Sequence, residues 1–376
     1  MYPSLSNDSI IDVLRLIRTQ NVGPITFFQL MMRFGSAAEA LAQLPHISVR
    51  GGRKEAIAPF SRTLAEQEIE AVNRLGARMI RYGEADYPQW LSYIPDAPPI
   101  ITVLGRPGVW QQAPALAMVG SRNASANGCQ WAQKLARECG TNGLVIISGL
   151  ARGIDSFAHR GSLATGTVAV VAGGIDHIYP PENEGLYREI AAQGAIISDQ
   201  PFGQVPFASS FPSRNRIIAG MAQATLVVEA SPKSGSLITA RMALDYNREV
   251  MAVPGSPIDP RAKGCNQLIK QGAIMVEDAN DVIQHLSRLG VSSASETSAE
   301  TYVHTPISEQ DIDQARGKIL EKLGHTATGV DELVEQCNIS AGVVQAVLLE
   351  LELAGRLKRG IGNKVSLTFL DEQDVA

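Results

Sequence analysis

Leu144-Val-Ile-Ile-Ser148-Gly149-Leu150-Ala151-Arg152-Gly153-Ile154-Asp155 is the stretch that decides the fold. Four apolar residues run without a polar interruption, which suits a short strand covered on both faces. A glycine-punctuated turn follows, and a helical segment begins near Ile154. The same unit recurs along the chain. Its other apolar runs are Ala115–Val119, Val168–Val171, Ala195–Ile197, Thr225–Val228 and Val250–Val253, most of them followed by helical periodicity. Short buried runs alternating with helices predict a parallel sheet clothed on both sides. The expected class is α/β, a doubly wound, extended Rossmann-like core over about residues 111–288.

Outside that core the pattern changes. Residues 1–110 are helical in character. Ile10–Arg18 and Thr26–Arg33 carry apolar residues at helical spacing around Asn21-Val22-Gly23-Pro24. An ordinary packed helix pair is the favoured reading. The other is a helix-hairpin-helix or SAM-like module, whose glycine-containing hairpin offers backbone N–H groups to phosphate. Asp86-Tyr87-Pro88 and Pro95–Pro99 mark an extended connection into the core. Ser292–Thr301 is rich in Ser, Thr and Glu with almost nothing to bury, so a linker is placed at 289–306. Beyond it, helices expected at Ser308–Leu323, Val330–Gln336 and Ser340–Leu353 precede a hairpin over Gly355–Leu367. Three helices and a hairpin give a small winged-helix domain, placed at 307–370.

Composition narrows the class without choosing a partner. Of 376 residues, 45% are apolar and 19% charged, which is ordinary for a globular chain. No apolar run reaches the roughly 18 residues of a membrane helix. The start, MYPSLSNDSI, lacks the basic and apolar segments of a secretory signal, so no membrane association and a cytoplasmic location are expected. Cys129, Cys139, Cys265 and Cys337 are scattered and support neither a disulfide framework nor a zinc site. The net charge of −5 argues mildly against a nucleic-acid coat. Residues 116–285 hold 14 basic and 14 acidic side chains, so any basic patch there must come from arrangement.

In an open parallel sheet, ligands bind beyond the carboxyl ends of the strands. Those junctions hold Gly120-Ser121-Arg122, then Ser148-Gly149 with Arg152, then Gly173-Gly174. Arg214-Asn215-Arg216 and Lys233-Ser234-Gly235-Ser236 follow further on. Glycine permits close backbone approach, helix N-termini present N–H groups, and serine, arginine and lysine add donors and charge. Together they describe an anion-binding crest, most simply for phosphate. Neither a GxGxxG fingerprint nor a GxxxxGK[ST] loop is present, so no nucleotide cofactor is expected. Catalytic groups are scarce. Asp155 and His159 are taken as a helix-face pair that fixes the junction loop, the alternative being an acid–base dyad. Glu229 is taken to position the Ser234–Ser236 loop by accepting its N–H groups, with a catalytic carboxylate as the alternative. No catalytic residue and no metal ligand is assigned.

At these junctions the chain resembles the DprA/Smf family of DNA-processing proteins. The matching stretches include Gly120–Arg122, Ser148–Asp155 with His159, Gly173-Gly174 with Tyr179-Pro180, and Phe211–Ile218. They continue through Val228–Ala230, Ser234–Ala240, Pro254-Gly255, and Gly264–Ile269 with Gly272-Ala273. Asp199 departs from the family, which usually has Glu there. The resemblance implies single-stranded DNA binding by the core, a homodimer, and delivery of the strand to RecA during natural transformation. It makes Arg122 the first phosphate contact, with Gly120, Ser121, Arg152, Arg214, Arg216, Lys233, Ser234, Gly235 and Ser236 around it. The C-terminal segment Leu348–Lys358 resembles the family's winged helix. Its third helix carries Gln345 and two glutamates but no Lys or Arg before Arg356, poor chemistry for a major groove, which makes a protein contact at least as good a reading. The wing residues Lys358, Arg359 and Lys364 remain available to phosphate. Two rivals stand beside this reading: a Rossmann-like nucleotide-processing hydrolase built on Gly173-Gly174 and Glu229, and a winged-helix transcription regulator.

Overall fold

The computed structural model describes residues 2–111, 113–292, 308–360 and 363–368. Among these, the chain forms two compact units. One comprises residues 3–6 and 67–292, the other residues 2 and 7–66 together with the C-terminal domain from 308.

The larger unit is built on one nine-stranded sheet. Its strands are β1 (Arg78–Arg81), β2 (Ile100–Gly105), β3 (Ala115–Val119), β4 (Val145–Ser148), β5 (Thr167–Val170), β6 (Ala195–Ser198), β7 (Ala224–Val227), β8 (Glu249–Ala252) and β9 (Ile274–Met275). Their order is β1-β2-β6-β5-β4-β3-β7-β8-β9. From β3 the chain winds outward through β4, β5 and β6, then returns to lay β7, β8 and β9 on the other side of β3. All pairings from β6 to β9 are parallel. Every residue of β3, β4, β5, β6 and β7 is buried, which is why they appear as unbroken apolar runs in the sequence. Alternate side chains feed two cores. Leu116, Met118, Ile146 and Leu226 join one cluster with Leu135, Ile154 and Val282. Ala169 and Ile196 join the other with Tyr187, Ile190 and Leu150.

The sheet is wider than the sequence pattern suggested. Residues 78–105, assigned above to the N-terminal helical zone, supply β1 and β2, which pair antiparallel with each other and, through β2, with β6. Only one of the four residues of β1 is buried, so it leaves no apolar run to find.

The helices of both units, in chain order, are α1 (Ile10–Arg18), α2 (Pro24–Phe34), α3 (Ala37–Arg50), α4 (Arg62–Arg74), α5 (Gln89–Ser92), α6 (Ala126–Thr141), α7 (Ile154–Ser162), α8 (Glu184–Gln193), α9 (Ser210–Met221), α10 (Gly235–Asp245), α11 (Lys263–Lys270), α12 (Ala279–Ser292), α13 (Glu309–Lys322), α14 (Val330–Cys337) and α15 (Ala341–Leu353). In the smaller unit, α1 and α2 are joined through Asn21, which is left-handed, and Gly23, with Pro24 opening α2. The winged-helix part packs α13, α14 and α15 around Ile312, Ile319, Leu333, Val347 and Leu351. It closes with a three-stranded sheet of β10 (Thr328–Gly329), β12 (Lys364–Leu367) and β11 (Leu357–Gly360), in that order. Of the expected linker, residues 289–292 end α12, and 293–306 lie outside the described residues.

Candidate nucleic-acid interface

Beyond the carboxyl ends of β3, β4 and β5 lies a cleft of about 180 Å³. Its walls come from Arg122, from Gly149, Ala151 and Arg152, from Val171 to Gly173, from the 177–182 loop, and from Phe211 and Arg214 on α9. Arg122 is exposed and makes no ion pair among the described residues. Its guanidinium lies over the Phe211 ring, 4.7 Å from the centroid, and Tyr179 stands 5.6 Å from Phe211. A planar cation resting on an aromatic face keeps its donors in one orientation, ready for a phosphate. Tyr179 and Phe211 were absent from the expected site set. The signal for them was two aromatics placed in glycine- and proline-rich junctions, where a buried core offers them no place.

The floor of the cleft is held with unusual completeness. Leu150 adopts φ +56°, a left-handed conformation that costs a bulky residue energy and persists only when its surroundings enforce it. Three buried side chains do so. Asp155 accepts from the N–H groups of Gly149 (3.2 Å) and Ala151 (3.4 Å). His159 Nε2 accepts from the Leu150 N–H at 3.3 Å, and Asn183 Nδ2 donates to the Leu150 carbonyl at 2.9 Å. Because Nε2 accepts, the His159 proton sits on Nδ1 and points to Thr167 Oγ1 at 2.7 Å, whose hydroxyl donates to the Ile146 carbonyl. Burial pushes His159 down to about 3, so the ring is neutral at physiological pH. Asp155 and His159 thus grip adjacent backbone groups of one loop, as expected of a pair that fixes the junction.

Arg214 is only 3% exposed. Its guanidinium donates to the carbonyls of Gly149 and Val170, at the ends of β4 and β5. Burial pushes it down to about 10, with Asp155 the opposing charge, and it stays protonated at neutral pH. It therefore ties the floor together at the base of the cleft. Arg216, 7% exposed, does not line the cleft: it is paired with Asp199 and donates to the Asp96 carbonyl. Its expected place on the crest is corrected accordingly. A guanidinium closed off from solvent and balanced by a carboxylate is not placed to meet a phosphate. Asn215 between them is half-buried and outside the cleft wall.

Part of the expected cradle of backbone N–H groups is occupied by the protein itself. The Ser121 N–H donates to the Glu229 carbonyl at 2.7 Å, that of Gly149 to Asp155, and that of Gly174 to the Gln204 carbonyl at 2.8 Å. A Cβ on Gly120 would strike Ile154, and one on Gly149 would strike the Arg214 guanidinium. These glycines let loop approach loop, in place of the close ligand approach anticipated from sequence. Ser148 is buried and donates to the Met118 carbonyl at 2.6 Å. The charges left outward are Arg122, Arg152 and Lys233. Arg152 stands 3.7 Å from Glu182 with both side chains mostly in solvent, a weak pairing that a phosphate can displace. Lys233 is exposed and precedes Ser234, the N-cap of α10, whose Oγ accepts from the Ser236 N–H and meets the Ser236 hydroxyl at 2.7 Å. Gly235 has open space about it. Lys233–Ser236 lies at the end of β7, beside β3, and is not part of the cleft wall.

Glu229 sits at the point where the winding of the sheet reverses, between β3 and β7. Its carboxylate accepts from Ser125 N (2.8 Å) and Ser125 Oγ (2.6 Å). It does not reach for the Ser234–Ser236 loop as expected. It caps the entrance to α6, placing a negative charge where dinucleotide-binding folds receive pyrophosphate.

A doubly wound core with an aromatic-lined, cationic cleft, in one chain with a helical hairpin and a winged helix, defines a multi-domain protein of the Rossmann-like class whose parts are common among nucleic-acid-handling proteins. Comparison with known proteins is specific. The family model for DNA recombination-mediator protein A matches residues 78–287, that for the DprA-like N-terminal HHH domain residues 7–71, and that for the DprA winged helix domain residues 304–363. The chain belongs to the DprA/Smf family. Protein Smf of Synechocystis is 34% identical over 339 residues, 83% of this chain and 84% of the relative. The DNA processing protein DprA of Bacillus subtilis is 40% identical over 225 residues, 59% of this chain and 76% of that protein. Among solved structures, DprA of Streptococcus pneumoniae superposes with a TM-score of 0.61 at 30% identity, covering 74% of this chain and 98% of that one. DprA of Helicobacter pylori, studied for its unique single-stranded DNA binding mode, gives 0.52 at 27% identity, covering 56% and 96%.

Proposed function

We propose that this protein binds single-stranded DNA in the cleft beyond β3, β4 and β5 and passes the bound strand to RecA. The observation that carries the binding reading is the Arg122 guanidinium lying on Phe211 with Tyr179 beside it. Every base has a face that stacks on an aromatic ring, and every nucleotide has a phosphate for a cation, so this pairing accepts any sequence. A duplex hides its base faces, and a shallow aromatic shelf gains little from it. Arg122 takes one phosphate, Arg152 exchanges Glu182 for a second, and Lys233 with the open start of α10 extends the track past β7. Arg214, Asp155 and His159 support the floor and touch no ligand.

The protein acts by holding, without chemistry on the strand. Glu229, the carboxylate of the hydrolase alternative, is spent on Ser125, and the N–H groups of Gly149 and Gly174 are paired within the protein. A homodimer is part of the reading. β9 is an edge strand of the large sheet, and Leu244 (57% exposed), Ile269, Ile274 and Met275 offer an apolar surface late in the core. The function belongs in the cytoplasm, where RecA works. None of the described helices is long and apolar enough to cross a membrane.

The test is binding of the full chain to fluorescent oligo-dT and to a matched duplex at two salt concentrations. Preference for the single strand, weakening with salt, is expected, followed by faster RecA filament formation on coated DNA. Tighter duplex binding would overturn the reading, and release of base from a nucleoside monophosphate would transfer it to the hydrolase.

A further inference from the structure

The third helix of a winged helix ordinarily enters the major groove of a duplex. In this chain α15 has another occupant. Its sequence, Ala341-Gly-Val-Val-Gln-Ala-Val-Leu-Leu-Glu-Leu-Glu-Leu353, is apolar nearly all round, the signature of a helix buried on two sides. Val344, Val347, Leu348 and Leu351 serve the winged-helix core. Leu349, Glu350 and Leu353 are also buried, though they stand outside that cluster. What covers them is the N-terminal helical domain, within the same compact unit.

The contact is polar and specific as well as apolar. Glu350 is 0% exposed, and three arginines converge on it: Arg33 of α2 at 3.6 Å, Arg50 of α3 at 3.8 Å, and Arg316 of α13. Arg50 also reaches Glu309 at 2.8 Å and Asp313 at 3.1 Å. Gln29 Nε2 donates to Gln345 Oε1 at 2.9 Å, and Arg359 of the wing donates to Gln29 Oε1 at 3.1 Å. At the far end, the hairpin residue Asn21 donates to the Leu353 carbonyl at 3.1 Å, satisfying a terminal carbonyl of α15. Gly51 packs so closely on the Glu350 carbonyl that a Cβ there has no room.

We infer that the outer face of α15 is a docking surface for α2, α3 and the α1–α2 hairpin of the same chain. The winged helix then acts as a clasp between the chain's two ends, and the outer face of α15 around Gln345, Leu349, Glu350 and Leu353 is not presented to DNA while it is shut. A buried carboxylate on the outer face of α15 repels phosphate and attracts arginines, which fits a protein partner and opposes a nucleic acid. This inference is independent of the single-strand cleft, which belongs to the other unit.

The experiment uses the full-length chain with Gln29→Cys and Gln345→Cys, Cys337→Ser removing the partly exposed native thiol, and a short bis-maleimide. At dilute concentration a crosslink within one chain is expected, located by peptide mass spectrometry. Adding Arg33→Glu and Arg50→Glu, which leave the winged-helix core intact, should lower the yield at least tenfold. A saturating 30-base-pair duplex should leave it unchanged. Absence of the crosslink in the Cys pair, a crosslink found only between two chains, or suppression by duplex would each overturn the clasp. Since the Cys pair alone carries no charge change, a folding failure of the double Glu variant leaves the first and third outcomes decisive.

Discussion

Arg122→Ala separates charge from stacking in the proposed cleft. Arg122 is exposed, is without an ion-pair partner among the described residues, and lies over the Phe211 ring. Each phosphate neutralised on a single strand contributes about 0.7 to the slope of log K against log salt. Loss of one contact should therefore flatten that slope by ~0.7. Between 50 and 200 mM salt the difference amounts to about 2.6-fold in relative affinity. The contact itself is a charge-assisted hydrogen bond, worth ~1.5–3 kcal/mol, and the solvent exposure of Arg122 favours the lower end. Affinity for oligo-dT should then fall roughly tenfold. Phe211→Ala should cost a comparable ~1–3 kcal/mol through lost stacking, yet keep the salt slope. Arg122→Lys should keep the slope while recovering only part of the affinity, because an ammonium lacks the planar fork and its fit to the ring. The assay is fluorescence anisotropy on oligo-dT across four salt concentrations. If Arg122→Ala leaves both slope and affinity unchanged, Arg122 is not a phosphate contact and the cleft assignment fails.

Three further outcomes are expected. Arg216→Ala should lower stability by ~3–5 kcal/mol, because it breaks an ion pair with Asp199 whose two side chains are both largely out of solvent, while the salt slope of binding stays at the wild-type value; a flattened slope would return Arg216 to the DNA track. His159 is held neutral, pushed down to about 3 from 6.5, so the unfolded chain binds a proton that the folded chain refuses between those values. Its contribution is intact above pH 6.5 and is lost as pH falls, by up to ~1.4 kcal/mol per unit, and His159→Gln should remove that slope in urea titrations at pH 5 and 7. Equal pH dependence in the two proteins would refute the assignment. Burial pushes the thiols of Cys139 and Cys265 up to about 12, and Cys129 is buried as well, so Cys337 alone should react rapidly with a disulfide reagent in the native protein. Two or more fast equivalents would contradict the buried placement of the others.

Much of the fold was legible because burial on both faces forces apolar runs, and six such runs are six strands. β1 was hidden by the converse: Arg78-Met79-Ile80-Arg81 buries one side chain, so it carries no run. β2 has an apolar sequence, but it follows a proline-rich connection and pairs antiparallel, outside the strand–turn–helix rhythm that marked the others. The third helix of the winged helix was legible nearly to its ends, and its two glutamates with no Lys or Arg before Arg356 already argued against a groove-reading role.

The site was harder to read, and Arg214 and Arg216 show why. Two residues apart on α9, they look alike in sequence: basic, polar-flanked, and placed among residues fit for phosphate. Their fates depend on acceptors that sequence cannot display. Every residue has a carbonyl, but only at the end of a strand is it left without a ladder partner, and only the strand order brings Gly149 and Val170 together for Arg214. Arg216 meets Asp199, seventeen residues earlier and just past the end of β6. Burying either guanidinium without such acceptors would cost several kcal/mol. With them, the same residue changes from a ligand contact to a brace. Arg122 escapes this because no carbonyl or carboxylate among the described residues claims it, and an aromatic face holds it without consuming its donors. In a glycine-rich crest of this kind, the arginine to select for DNA is the one whose hydrogen-bonding capacity the protein leaves unspent.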